Sequence, residues 1–256
     1  MDPAQVNPSF AVGESTPAPA ATAAPTRDKI RVRFRKGGDL RFLSHHDLLR
    51  CFERLLRRAA LPVRRTEGFH PHPRVVFALS LPLGVVGCEE VVEIELDDLL
   101  PVDELESRLK HHTPPGIDVL SVRRIDPKTT AQVRALSYRT VVPRERLDEL
   151  RRRVAEFLSA AEVKVRRGQA AAGQTPLGAQ HDEGTGRQVD VRPFVRDLRL
   201  TSVETVEGVR DALEIDLLLT SSGTARPVEV LARLGLLDLL EAGAVIERTR
   251  LELHDE

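Results

Sequence analysis

Between residues 29 and 253 two periodicities alternate in the same order twice, and that order constrains the fold more than any other feature of the chain. From Lys29 to Lys36, Ile30, Val32 and Phe34 alternate with Arg31, Arg33 and Arg35, the two-residue period of a half-buried strand. Gly37-Gly38-Asp39 turns the chain. Ser44 and Asp47 then form a capping box ahead of Leu48, Leu49, Phe52, Leu55, Leu56 and Ala59, which predicts a helix from about His45 to Ala60. Val75 to Leu81 and Glu89 to Leu96 read as two strands around a Pro82/Gly84/Gly87 turn, followed by a helix near Val102 to His112 and a strand from Ile117 to Arg124.

The second half repeats the order loosely. Strands are predicted at Leu136 to Val142, Glu162 to Arg166, Val195 to Val203, Val209 to Leu219 and Val245 to Leu253, with helices at Arg144 to Leu158 and Arg226 to Glu241. In a two-layer domain the order βαββαβ gives an antiparallel sheet with helices on one face. The expectation is an α+β protein of two tandem ferredoxin-like domains, residues 29–126 and 132–256. An Ala-, Pro- and Thr-rich segment at 1–28 reads as a disordered tail, without the basic and apolar regions of a signal peptide. Arg167 to Arg187, nearly free of apolar residues, reads as a flexible insertion.

Composition excludes several classes. Two cysteines, Cys51 and Cys88, leave no disulfide framework, zinc ribbon or three-cysteine iron–sulfur site on the chain, and fit a reducing, cytoplasmic setting. The longest uncharged stretch of the predicted folded region, Val75 to Cys88, falls short of the roughly 18 apolar residues that span a bilayer. With no Trp and one Tyr among 256 residues, a broad aromatic platform is excluded, so recognition should lean on charge.

That charge is uneven. Lys29 to Arg74 holds thirteen basic residues against four acidic ones, +9, so with a chain total of −1 the remainder carries −10. Such asymmetry is the footprint of a surface that docks a phosphate backbone, and it makes RNA a candidate partner. Arg31, Arg33 and Arg35 have a plainer reading as a cross-strand ladder with Glu93 and Glu95. On the first helix Arg50, Arg54 and Arg57 fall along one line, with Arg58 beside them; that line serves equally as a solvated face.

The most unusual local chemistry is Gly68-Phe69-His70-Pro71-His72-Pro73, followed by Arg74. Each proline removes an N–H and extends the preceding histidine, so Gly68, Phe69, Pro71 and Pro73 make a stiff loop presenting imidazoles. With His45, His46 and Asp47 these are ligand types for a metal, but no helix-spaced His pair or Cys pair accompanies them, and no metal is expected. His45 or His72, with Asp47, could instead act in proton transfer; equally, His72 could only order its loop, and Phe69 could plug a core. In the second half Arg226, at the predicted helix start after Gly223-Thr224, could hold a phosphate, though such a turn more often only caps a helix.

The run Arg31-Val32-Arg33-Phe34 through Gly38-Asp39-Leu40-Arg41-Phe42-Leu43-Ser44-His45, Glu53-Arg54, Arg57-Arg58, and Gly68 to Pro73 on to Leu81-Pro82-Leu83-Gly84 resembles the radical SAM-linked protein family. The resemblance extends through Arg192 to Leu200, Gly223 to Glu229 and Glu247 to Leu251. It implies a bacterial protein encoded beside, or fused to, a cobalamin-binding radical SAM protein. The chain departs from the family's usual pattern at His46, where an apolar residue is common, and at His70, where Asn is common, which leaves His45, Asp47 and His72 as the better site candidates. Lacking the cluster cysteines, this chain would need no cofactor of its own and act as a partner. The leading expectation is a non-catalytic, RNA-binding accessory module presenting tRNA or rRNA to a radical SAM modification enzyme. The alternatives are a metal-independent endoribonuclease, since tandem ferredoxin-like domains also resemble CRISPR-repeat processing enzymes, and a protein-binding scaffold.

Overall fold

Alternation places Ile30, Val32 and Phe34 of β1 (Asp28–Lys36) on one face, where all three are fully buried. The computed structural model describes residues 27–167, 187–206 and 208–256. The tail expected at 1–28 and the insertion at 167–187 therefore lie, apart from their edge residues, outside the described residues. Asp28 already belongs to β1, and Arg167 pairs with Arg187.

The chain continues through α1 (His45–Arg58), β2 (Val75–Phe77), β3 (Val86–Leu96), α2 (Val102–His112) and β4 (Ile117–Arg124). The second half runs β5 (Val133–Val141), α3 (Leu147–Ser159), β6 (Lys164–Arg167), β7 (Arg187–Asp190), β8 (Val195–Thr205), β9 (Gly208–Leu218), α4 (Pro227–Arg233), α5 (Leu237–Glu241) and β10 (Ile246–Leu253). The protein is a mixed α+β structure with a mostly sheet core. Seven strands lie in the order β4-β1-β3-β10-β5-β9-β8, and β2 joins as an eighth by pairing with β3. The halves meet in one sheet through a short parallel pairing, Glu247 opposite Val86 and Arg248 opposite Gly87. The predicted strand near Glu162 to Arg166 is outside this sheet, forming a separate hairpin of β6 with β7.

Two buried clusters lie under the helices. In the first, Phe34 meets Phe52 of α1 edge-on at 4.9 Å between ring centres, with Leu55, Leu105 and Leu109 around them. In the second, Tyr138, Leu213 and Ile215 pack against Leu150, Phe157, Val230 and Leu231. Helix α1 starts where its cap predicts: the Asp47 N–H donates to Ser44 Oγ at 3.2 Å, while the Ser44 hydroxyl donates to the Asp47 carboxylate at 2.7 Å.

Three elements differ from the sequence reading. Strand β2 stops at Phe77 because Ala78 to Val85 leaves the strand and crosses toward β10, where the carbonyls of Leu79 and Ser80 accept from Arg248. The single helix expected at Arg226 to Glu241 is two, because Gly235, at φ +69°, closes α4: its N–H bonds Ala232 O and that of Leu236 bonds Leu231 O. The segment before α3 is a 3-10 turn at Arg144–Arg146.

Candidate nucleic-acid interface

Of the thirteen basic side chains that make residues 29–74 so positive, seven face a carboxylate, most of them supplied from outside the segment. Lys29 and Arg31 pair with Glu93 at 2.7 and 2.8 Å. Arg33 reaches Glu89 and Glu256, Arg35 lies 4.0 Å from Asp118, and Arg50 lies 3.7 Å from Asp47. Arg64 and Arg74 share Glu95 at 4.0 and 3.4 Å. Folding thus brings acids of the negative remainder onto the positive segment, and the +9 of the sequence overstates the surface charge.

Arg31 is a correction to the predicted contact surface. It is 1 % exposed, enclosed by Glu93, Asp255 and Glu256, and beside it the Lys29 ammonium donates to Thr129 O. The arginine face of β1 is roofed by the segment between the halves and by the last residues of the chain, so the ladder with Glu93 describes Arg31. Arg33 is half-buried under the same residues, and Arg35 stays exposed.

What is left uncompensated lies on α1 and beside it. Arg54 and Arg57 are exposed, and among the described residues no carboxylate comes within ion-pair reach of either, Glu53 included. Arg58 is exposed and donates only to the carbonyl of His112 at 2.7 Å, and Arg65 only to that of Pro71 at 3.3 Å. Arg41 lies over the Phe42 ring, 4.6 Å from its centre. Successive guanidinium groups on one helix, free of internal ion pairs, keep their full attraction for an external polyanion.

The histidines do not converge. His45, at the start of α1, sits against Phe77, with its Nδ1 3.5 Å from Ser80 Oγ. Burial, with help from His46 and Lys36, holds its pKa below the ordinary value. His72 lies in the hairpin 64–74, which is tied to Glu95. Its exposed side chain is held through its backbone, the N–H donating to Thr66 Oγ1 at 3.0 Å and the carbonyl accepting from Thr66 N at 2.8 Å. His45 meets Phe77, whose register partner on β3 is Val92, whereas the hairpin of His72 is tied to Glu95. Asp47 is occupied by its own cap and by Arg50. Among the described residues no three His, Cys, Asp or Glu side chains are arranged to hold a metal ion.

Arg226 caps α4, but its N–H donates to Glu229 at 2.8 Å, and the same carboxylate takes Arg167 at 2.7 Å. A protein carboxylate thus stands where a phosphate would bind. On the sheet, Glu89 of β3 and residues of β5, β8, β9 and β10 line a groove of about 470 Å³. The arginines that line it, Arg199 and Arg250, are matched by Glu214 and Asp216 and by Glu252, and elsewhere in this half Arg196 pairs with Glu252 and Arg139 with Glu247. That face presents a balanced lattice, unfavourable to a polyanion.

Sequence reasoning missed Lys36. It is 1 % exposed, donates to Leu43 O at 3.0 Å, and burial pushes its pKa down from 10.5 to about 8. Its position on the apolar side of β1, in step with Ile30, Val32 and Phe34, was the available signal.

A mixed α+β protein whose halves share one sheet and whose first helix carries two arginines, Arg54 and Arg57, without ion-pair partners among the described residues is the class these observations define. Residues 29–227 match the family described as "Uncharacterized protein conserved in bacteria (DUF2344)", and the chain belongs to that family. Comparison with curated proteins finds no match. Among solved structures the chain is similar to one titled "Crystal Structure of an Unknown Protein from Galdieria sulphuraria", at 13 % identity, covering 89 % of this chain and 98 % of that one, with a TM-score of 0.25, too low to speak to fold or function. No helix among the described residues is long and apolar enough to cross a membrane.

Proposed function

We propose that this protein is a non-catalytic RNA-binding accessory module, working in the cytoplasm, that presents tRNA or rRNA to a radical SAM modification enzyme. The observation that carries the reading is the pair Arg54 and Arg57, exposed and, among the described residues, without ion-pair partners, whereas seven of the thirteen basic residues of 29–74 face carboxylates. Arg58 and Arg65 extend the same positive region. The radical SAM partner rests on the sequence resemblance and on chemistry: with only Cys51 and Cys88, this chain leaves the cluster to another protein. We read the halves, 29–126 and 132–256, as two ferredoxin-like domains; the strand orders β4-β1-β3-β2 and β10-β5-β9-β8 support that reading.

The test is to isolate the tagged protein at low salt and to sequence any nucleic acid that accompanies it, beside the Arg54→Glu/Arg57→Glu variant. A defined RNA that is lost in the variant is the expected result and names the substrate. No RNA with either protein overturns the reading in favour of a scaffold that binds only protein.

A further inference from the structure

The hairpin that follows α1 carries a side chain the arginine row does not explain. Phe69 is fully exposed, at 102 %, so it plugs no core. Its loop is nevertheless braced. Arg64 and Arg74 bond each other and the backbone of Glu95, Arg65 bridges to Pro73, Thr66 and His72 exchange two hydrogen bonds, and Pro71 and Pro73 stiffen the returning strand. Gly68, at φ +127°, makes the turn that lifts Phe69 to the tip.

We propose that Phe69 stacks on an unpaired RNA base, making hairpin 64–74 the element that selects single-stranded or bulged RNA over duplex; this rests on the RNA-binding reading above. The neighbours favour a base over an apolar protein pocket. His70, His72 and Arg65 are exposed beside Phe69 and can hydrogen-bond or stack on a nucleotide, whereas Glu67 is the one acid of the tip. One phenyl ring offers about 150–250 Å² of contact, the size of a single stacked base and far below the roughly 800 Å² each partner gives to a stable protein interface. A duplex keeps its interior bases stacked and its deep groove closed to side chains, so away from the duplex ends only an unpaired base presents a free face to the ring. Because the loop is already ordered, little conformational freedom is lost on contact.

The test uses the full chain with two fluorescein-labelled probes, an RNA stem-loop and a blunt RNA duplex of the same stem, in parallel anisotropy titrations. Phe69→Ala should weaken stem-loop binding roughly 5- to 150-fold and leave duplex binding unchanged, while Phe69→Tyr keeps the wild-type preference. Arg54→Gln/Arg57→Gln should weaken both probes. If Phe69→Ala binds the stem-loop like wild type while the arginine variant loses both probes, the stacking role is overturned and the RNA-binding reading stands. If wild type binds neither probe, both fail.

Discussion

Arg248 of β10 grips Glu90 of β3 across the parallel pairing that unites the two halves of the sheet, with Nε at 2.8 Å from Oε1 and Nη2 bonded to Oε2. Both residues are nearly fully buried, and the guanidinium also donates to the carbonyls of Ser80 and Leu79. Gly87 makes room for the contact: a Cβ there would lie 2.4 Å from the Glu90 side chain. Against the desolvation of burial, Glu90 and Tyr138 hold Arg248 in its charged form.

Removing one partner of such a pair leaves an uncompensated buried charge. Arg248→Met and Glu90→Gln should each lower unfolding free energy by about 3–5 kcal/mol in urea titrations. The double variant Arg248→Met/Glu90→Leu should recover part of that loss, because both charges leave the interior together.

Lys36 makes stability depend on pH in a defined window. Its folded-state pKa is about 8 against an ordinary 10.5, so between these values the unfolded chain binds the extra proton. Stability must then rise with pH across that window, the cost of enclosing an ammonium being fully present below about pH 8 and relieved by about 10.5. Relative to Lys36→Met, wild type should gain roughly 1–3 kcal/mol between these limits, read from denaturant midpoints at each pH.

Ala60 closes α1 in a conformation suited to glycine, with φ +50° and the N–H groups of Ala60 and Leu61 bonding Arg57 O and Leu56 O. Ala60→Gly should raise stability by about 0.5–1 kcal/mol, measured by thermal and urea unfolding, since relief of the left-handed strain outweighs the added freedom of the unfolded chain.

Local periodicity made most elements legible, because a two-residue or 3.6-residue pattern reports which face meets the core. It located the ends of α2 and β4 to the residue, and it put Ile30, Val32 and Phe34 inside. It did not report what covers the opposite face of β1. The partners that close over Lys29 and Arg31 are Thr129, about 100 residues from Lys29, and Asp255 and Glu256, more than 200 residues from Arg31. For the same reason the charge count over 29–74 ran ahead of the surface charge. Other signals were present but differently read: Gly235 marked the end of α4, and Lys36 and Arg248 each fell in step with an apolar face. For the candidate site, the line Arg50, Arg54 and Arg57 was visible from helical spacing, whereas the seating of His45 against Phe77 and Ser80 depends on contacts from β2 and the loop after it.

The arginine row is tested most directly by the salt dependence of RNA binding. Each phosphate contact contributes about 0.7 to 0.9 to the slope of log affinity against log salt. Titrations of a labelled RNA stem-loop over a range of KCl concentrations should therefore show a slope shallower by about 1.4 to 1.8 for Arg54→Gln/Arg57→Gln than for wild type, with weaker binding at every concentration. Equal slopes and equal affinities for the two proteins would contradict the placement of the RNA on α1.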